Sequence, residues 1–466
     1  MKFNPLVHQQ LGFDHLTNND RALLFAGMGL GKTATVLYSV DELICTGAMK
    51  GLLVVAPKRV AVLSWPDEVA KWENFNWLRI ANLRTKRGQQ AWKEGSADIY
   101  TINYEMLPKF SEQFLKGERQ SSLPVDSILF DEIDMAKNQA SKRIRALRKY
   151  IYKIPRRWGM TGTPVSNHRF DIFAQVRLVD DGETWKCPMN PRGTSFGAWK
   201  KQYFEVEDNY SQYPKFILRK GSEEALEEKL QNIALVLQSK DYLKIPPVVT
   251  HDIEVALPPD AKKLYKRIQK ELLAEFEEGF ALTAANLAVL RTKLLQITSG
   301  AVYVQQGEDI STRKVQILHD RKVEAVRKLA KDNGNKPILV ACKYRHEVDR
   351  LVEALPGAEE FTNERLDAWN KGEVPFFVAH PKKISHGLNL QQGGNIVCWF
   401  TLDDSRGLYD QFNARLARQG QTEETHIYRL FAGDIDHAVA GNLGKKGNDQ
   451  DSFLSVLNNL KRLNEI

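Results

Sequence analysis

"LLFAGMGLGKTATV", residues 23–36, sets three glycines within five residues between a short apolar run and a helix-forming segment. Glycine accepts positive φ and lets the backbone approach a ligand closely. A turn built this way points successive N–H groups inward around an anion. The helix that begins near Lys32 adds the positive end of its dipole. Lys32 is placed to reach the β- and γ-phosphates of a nucleotide, and the Thr33 hydroxyl to ligate Mg²⁺. Gly29, Leu30 and Gly31 form the loop itself. Ala26 stands where the strict phosphate-loop pattern has glycine.

A nucleotide loop needs a second carboxylate for the metal. "SILFDEID", residues 127–134, supplies one at the end of a fully apolar strand. Asp131, at the strand tip, is expected to hold Mg²⁺, and Glu132 to orient or deprotonate the attacking water. An isolated Asp-Glu pair would most often be a solvated surface pair; its place at the end of a buried strand argues otherwise. In "LYDQFNARLARQGQ", Gln411, Arg415 and Arg418 fall at i, i+4 and i+7, which predicts one helical face. Such arginines can serve as fingers on the γ-phosphate. Standing alone, the same segment reads equally well as a solvated basic face.

Length and composition bound the rest. A chain of 466 residues exceeds one ordinary core, so two or more domains are expected. The hydrophobic share of 42% and charged share of 27% are those of a soluble globular protein. No apolar run is long enough to span a bilayer. "MKFNPLVHQQ" lacks the apolar core of a secretory signal, which predicts a cytoplasmic protein. Cys45, Cys187, Cys342 and Cys398 form no C-x-x-C pair, so neither a zinc site nor a disulfide framework is indicated. A net charge of +8 fits a polyanionic partner without requiring one.

The first half alternates strand candidates (22–26, 52–56, 99–102, 127–130, 158–161) with helix candidates such as 33–46 and 62–74. That order predicts an α/β fold with a mostly parallel sheet. From about 180 to 295 charged helical stretches dominate, interrupted by a strand at 248–255. Alternation resumes near 314 with a helix at 320–332, a strand at 337–342, a helix at 345–355, strands at 376–380 and 395–400, and a helix at 407–418. Two similar α/β lobes are expected: 1–305, with the helical insertion at about 180–295, and 306–466. The tail from 444 reads as a loop and a short amphipathic helix.

Taken together, these segments resemble the SWI/SNF-type ATPases of helicase superfamily two, from Leu6 to about Val439. "HQQLG" looks like the adenine-sensing element, matching at Gln9. "AGMGLGKT" matches the first motif, in which alanine at the position of Ala26 is usual. "VVAPKRVAVLSWPDEVAKW" is similar to the next motif, including Trp65 and Glu68. "IYTINYEML" and "DEIDMAKN" resemble the T-Y-E element and the DEAH-type box. "MTGTPVSN" is similar to the coupling motif, with Thr161 and Thr163 in the coupling positions. "FILRK" resembles the arginine-containing segment before the linker. "SHGLNL" and "QFNARLARQGQ" resemble the fifth and sixth motifs. Three positions depart from the pattern. Asp134 stands where histidine is usual, Ser385 replaces a glycine, and "TLDDSRGL" replaces an aromatic-rich stretch before the sixth motif.

The resemblance implies two RecA-like lobes, ATP and Mg²⁺ held mainly by the first, and Arg415 and Arg418 supplied by the second when the cleft closes. Gln411 joins Thr161 and Thr163 in coupling. DNA, expected as a duplex, would lie across both lobes. Lys58, Arg59, Tyr104, Lys343, Tyr344 and Asn389 are its candidate contacts. The segment 141–157 adds eight Lys or Arg and no acid. The expected activity is that of a DNA-dependent ATPase acting as a double-stranded DNA translocase, a minimal bacterial or phage form that works as a monomer. The alternatives are a strand-separating or fork-remodelling helicase and, from another class, an ATP-switched clamp on DNA or protein. No added wedge is evident between the lobes, though 181–215 and 300–315 leave room for a short hairpin.

Overall fold

Nine strands are described within the first 243 residues: β1 (Arg21–Ala26), β2 (Leu52–Ala56), β3 (Ile80–Asn82), β4 (Ile99–Asn103), β5 (Ser127–Asp131), β6 (Arg156–Thr161), β7 (Phe204–Val206), β8 (Phe216–Leu218) and β9 (Ala234–Leu237). The computed structural model describes residues 1–165, 169–186, 195–206, 216–277, 284–304, 314–384 and 388–444. Seven of these strands form one parallel sheet in the order β3-β4-β2-β5-β6-β1-β9. β7 and β8 pair antiparallel as a separate hairpin.

Alternation along each strand divides its side chains between two cores. Leu23, Phe25, Leu53, Val55, Ile128 and Phe130 pack on one face. Ala22, Leu24, Ala26, Leu52, Val54 and Leu129 pack on the other. Both faces are covered, which is why these strands read as continuous apolar runs rather than as alternating ones.

The second unit is built the same way. Its parallel sheet runs β10-β17-β16-β13-β15-β14, with β10 (Val248–Glu254), β13 (Ile338–Ala341), β14 (Ala358–Glu360), β15 (Phe376–Ala379), β16 (Ile396–Trp399) and β17 (Thr425–Phe431). Leu339, Ala341, Phe377, Val397 and Trp399 face one core, and Ile338, Val340, Val378, Ile396 and Cys398 the other. β11 (Ala301–Val304) and β12 (Lys314–Ile317) form an antiparallel hairpin.

The α/β fold with two parallel sheets is thus as the alternating pattern predicts, and the organisation differs in four places. The chain divides into compact units between Leu243 and Lys244 rather than near 305. The cause is β10, whose whole length pairs with β17 from Val248↔Thr425 to Glu254↔Phe431 and so belongs to the second sheet. The stretch from 180 is not simply helical, because β9 completes the first sheet beside β1. Each segment that left room for a hairpin overlaps an antiparallel strand pair, β7–β8 and β11–β12, whose second strand extends beyond it. The helix expected over 407–418 runs from Arg406 to Asn413 and gives way to turns. The predicted C-terminal helix, Cys187, Ser385 and the end of "MTGTPVSN" lie outside the described residues. No described helix is long and apolar enough to cross a membrane.

Candidate active site

In a parallel sheet the carboxyl ends of the strands form the ligand-binding edge. β1, β6 and β5 are neighbours there, and each ends in a residue singled out in the sequence. β1 ends at Ala26 and runs into the glycine loop. Gly29 and Gly31 hold φ of 84° and 69°, the left-handed region that glycine enters without strain. Gly31 caps the helix Lys32–Cys45. A Cβ on Gly31 would stand 2.5 Å from Gln9 Nε2, so the helix Val7–Asn18 is seated directly on the loop. The Gln9 side-chain Oε1 accepts from Leu6 N at 2.9 Å, and His8 Nε2 lies 3.1 Å from the Leu30 carbonyl. From the far edge, Ser239 Oγ donates to the Met28 carbonyl at 2.8 Å. Lys32 folds back and donates from Nζ to the Ala26 carbonyl at 2.9 Å. Thr33, in the first turn of the helix, is half-buried.

β5 ends at Asp131, which is 4% exposed. Trp65 Nε1 donates to Asp131 Oδ2 at 3.0 Å. Glu132, at φ 53°, is one of three described non-glycine residues with positive φ. A backbone held there costs about 1–2 kcal/mol and persists where the surroundings fix it. Tyr104 is the fixing group: its hydroxyl lies 3.0 Å from the Asp131 carbonyl and 3.3 Å from that of Glu132. This overturns the reading of Tyr104 as a nucleic-acid contact. Its side chain is 0% exposed and sits beneath the acidic turn.

β6 ends at Thr161, whose hydroxyl donates to Glu132 Oε2 at 2.9 Å. The same oxygen accepts from Thr163 N at 3.1 Å and lies 3.4 Å from Asp134 Oδ1. Burial, then the charge of Glu132, push Asp134 up to about 8. The protonated form of Asp134 is thereby favoured, and the Thr161 hydroxyl stands between it and Glu132. Burial and Glu132 likewise raise Asp131 to about 7, opposed by the Trp65 bond and by Lys32. A buried carboxylate held in this condition suits a hard divalent cation, whose charge relieves both causes.

The Asp134 assignment carries a linkage prediction. The folded chain keeps this proton to about pH 8, and an unfolded aspartate releases it near 3.8. The folded state binds more protons in that window, so this group lowers stability as pH rises through it. Asp134→Asn is expected to melt at an increasingly higher temperature than wild type as pH rises from about 4 to about 8. A constant difference across that window would refute the assignment.

The remaining candidates lie on the second unit or at the surface. Gln411 is buried within the helix Arg406–Asn413. Arg415 and Arg418 follow the helix, so the single helical face predicted for all three is not formed. Both guanidinium groups converge instead on the Leu388 carbonyl, at 2.9 and 2.8 Å, and Arg415 Nε also donates to the Gln411 carbonyl at 3.0 Å. The sixth-motif arginines thereby tie to the fifth-motif strand of sequence. Lys58 and Asn389 are exposed, and Arg59 is half-buried. Lys343 pairs with Asp404 at 3.2 Å. Tyr344 is largely enclosed, and burial raises its hydroxyl well above the usual phenol range.

The basic segment 141–157 divides by use. Lys153 donates to the carbonyls of Leu115 and Glu118, at 2.6 Å each. Arg157 is fully buried and bonds Asp181, and Arg156 pairs with Asp20. Lys142, Arg145 and Lys149 remain exposed along one side of the helix Lys142–Arg148 and its cap. Sequence reasoning missed the bond of Trp65 to Asp131 and the bracing by His8 and Ser239. The W-x-x-E spacing was visible, but not which face of it turned toward β5.

Residues 8–309 match the family described as the SNF2-related domain. A protein designated p41 of Acyrthosiphon pisum secondary endosymbiont phage 1 is 31% identical over 98% of this chain and 99% of its own length. An uncharacterized ATP-dependent helicase of Mycoplasma genitalium is 24% identical over 89% of this chain and 38% of its own length. The DNA repair and recombination protein RAD54-like of Gallus gallus is 24% identical over 88% of this chain and 61% of its own. The chain thus spans less than two thirds of the length of the last two.

Proposed function

Because the chain belongs to the SNF2-related family of helicase-superfamily-two ATP hydrolases, we propose that it is a motor that couples ATP hydrolysis to movement along duplex DNA. The observation that carries the chemistry is the convergence of Lys32, Asp131, Glu132 and Thr161 at the carboxyl ends of β1, β5 and β6. The loop N–H groups and Lys32 bind and neutralise the phosphates, and Gln9 recognises the base. Thr33 and Asp131 would hold Mg²⁺, which would supply positive charge to neutralise the phosphates. Glu132, aimed by Thr161, takes the proton of the attacking water. Arg415 and Arg418 stabilise the charge that develops on the γ-phosphate, and Thr163 and Gln411 relay nucleotide state.

DNA enters this reading from the name of the RAD54-like relative, the net charge of +8, and exposed Lys58, Lys142, Arg145, Lys149 and Asn389. We take the protein to act as a cytoplasmic monomer. A strand-separating helicase is the second reading, favoured by the antiparallel pairs β7–β8 and β11–β12, which overlap the two segments with room for a wedge. A static clamp is disfavoured by the presence of Lys32, Asp131, Glu132 and both arginines, the full set for turnover.

Two assays with the same protein and ATP separate these readings. A duplex translocase is expected to displace a third strand from a triplex in an ATP-dependent manner and to leave a plain fork intact. Its DNA affinity is expected to fall steeply with salt and to depend little on sequence. Fork unwinding without triplex displacement would establish the helicase instead. DNA-stimulated hydrolysis with neither activity would establish the clamp.

A further inference from the structure

The segment "TLDDSRGL", which departs from the family pattern, makes a turn and runs into the helix Arg406–Asn413. Two of its polar residues serve the turn. Asp403 Oδ1 accepts from Ser405 N at 3.0 Å, and Ser405 Oγ accepts from Leu408 N at 3.3 Å as the helix cap. Asp404, between them, turns its carboxylate to two cations from distant parts of the same unit. Oδ1 takes the guanidinium of Arg291, on the helix Ala284–Ser299, and Oδ2 takes Lys343 Nζ at 3.2 Å. One oxygen per cation is also how a phosphate would bridge them.

The backbone that carries Lys343 is fixed independently of Asp404. Lys343 and Tyr344 follow β13, and both of their backbone N–H groups donate to Glu347 Oε2, at 2.7 and 3.1 Å. Thr401, which follows β16, donates to the other oxygen of Glu347 at 2.7 Å. Glu347 is fully buried, so the Lys343 turn is pinned from inside the fold. Arg291 rises from the neighbouring helix, where the Tyr344 hydroxyl lies 3.5 Å from the Thr292 carbonyl. Asp404 itself is 40% exposed and its partners 33% and 17%. Ion pairs of that exposure contribute little to stability, so replacing the carboxylate with another anion costs little.

We propose that Arg291 and Lys343 form a phosphate-binding site at the carboxyl edge of the second sheet, and that Asp404 fills it as an internal anion that a duplex-DNA phosphodiester must displace. The inference rests on the reading of this protein as a DNA-binding motor. It adds a built-in competitor that lowers resting affinity for the track. It also explains why an acid in this segment is tolerated on a surface expected to meet a polyanion.

The test uses the full chain and a fluorescently labelled duplex, with affinity read by anisotropy over a salt series without nucleotide. Asp404→Asn is expected to bind several-fold more tightly than wild type. Its plot of log affinity against log salt is expected to be steeper than that of wild type, because the phosphodiester then releases solution anions from the free site rather than displacing Asp404. Asp404→Glu, which keeps the charge, is expected to behave as wild type. In an Arg291→Ala/Lys343→Ala background the Asn substitution is expected to have no effect, the signature of a shared site. An equal gain in that background would show a general charge effect and overturn the proposal. So would an unchanged Asp404→Asn beside a wild type that binds, an outcome that leaves the motor reading standing. Absence of binding by both proteins would overturn the two together. A gain in affinity for ATP, measured by calorimetry, with none for the duplex would also overturn it. Asp404→Ser is read in the same way should Asp404→Asn melt at a lower temperature.

Discussion

Glu132→Gln is expected to bind ATP with unchanged affinity and to lose hydrolysis, with kcat falling about 10²- to 10⁴-fold. The amide keeps the size of the side chain and can still meet the Thr161 hydroxyl, which now sits 2.9 Å from Oε2. What it loses is the capacity to accept a proton from water. The left-handed turn at Glu132 is fixed by the Tyr104 hydroxyl acting on backbone carbonyls, so it does not depend on the carboxylate. Lys32→Ala is the contrasting change: it removes charge from the phosphate site and is expected to abolish tight ATP binding. Calorimetry and phosphate release distinguish the two. Normal hydrolysis by Glu132→Gln would remove the residue from its assigned role.

Arg415→Ala and Arg418→Ala are each expected to lower kcat by about 10³-fold or more, the range of an arginine finger, with ATP affinity nearly unchanged. Both side chains also hold the Leu388 carbonyl, so a structural loss must be told apart from a catalytic one. Lysine provides the control. It can donate to that carbonyl but lacks the planar fork that matches phosphate. Arg415→Lys is therefore expected to restore thermal stability without restoring turnover. A variant that binds ATP poorly yet turns over normally would reverse the assignment.

What the sequence disclosed follows from how local each feature is. The glycine loop, the apolar strands and the Asp131–Glu132 tip are local patterns, and all of them form as the spacing predicts. β3 and β14 are three residues each, too short to give a periodic signal. β10 was visible as a strand, but its partner β17 lies far along the chain, so its sheet was not visible. Tyr104 shows the same limit within the site. The resemblance offers it as a DNA contact at the end of a strand. Only the fold shows it enclosed beneath the acidic turn. The roles of Trp65 and Asp134 were hidden for the same reason: each acts through a residue that is remote in sequence, Trp65 on Asp131 and Asp134 on Thr161. The basic segment 141–157 was legible as charge and not as use, because burial decides which cations remain for a partner.

The steady-state ATPase rate measured without DNA, with single-stranded DNA and with duplex DNA bears most directly on the central claim. The account predicts a low basal rate, strong stimulation by the duplex, weaker stimulation by the single strand, and loss of all three rates in Glu132→Gln. A rate that is the same in all three conditions, or that single strands stimulate more than duplex, would contradict it.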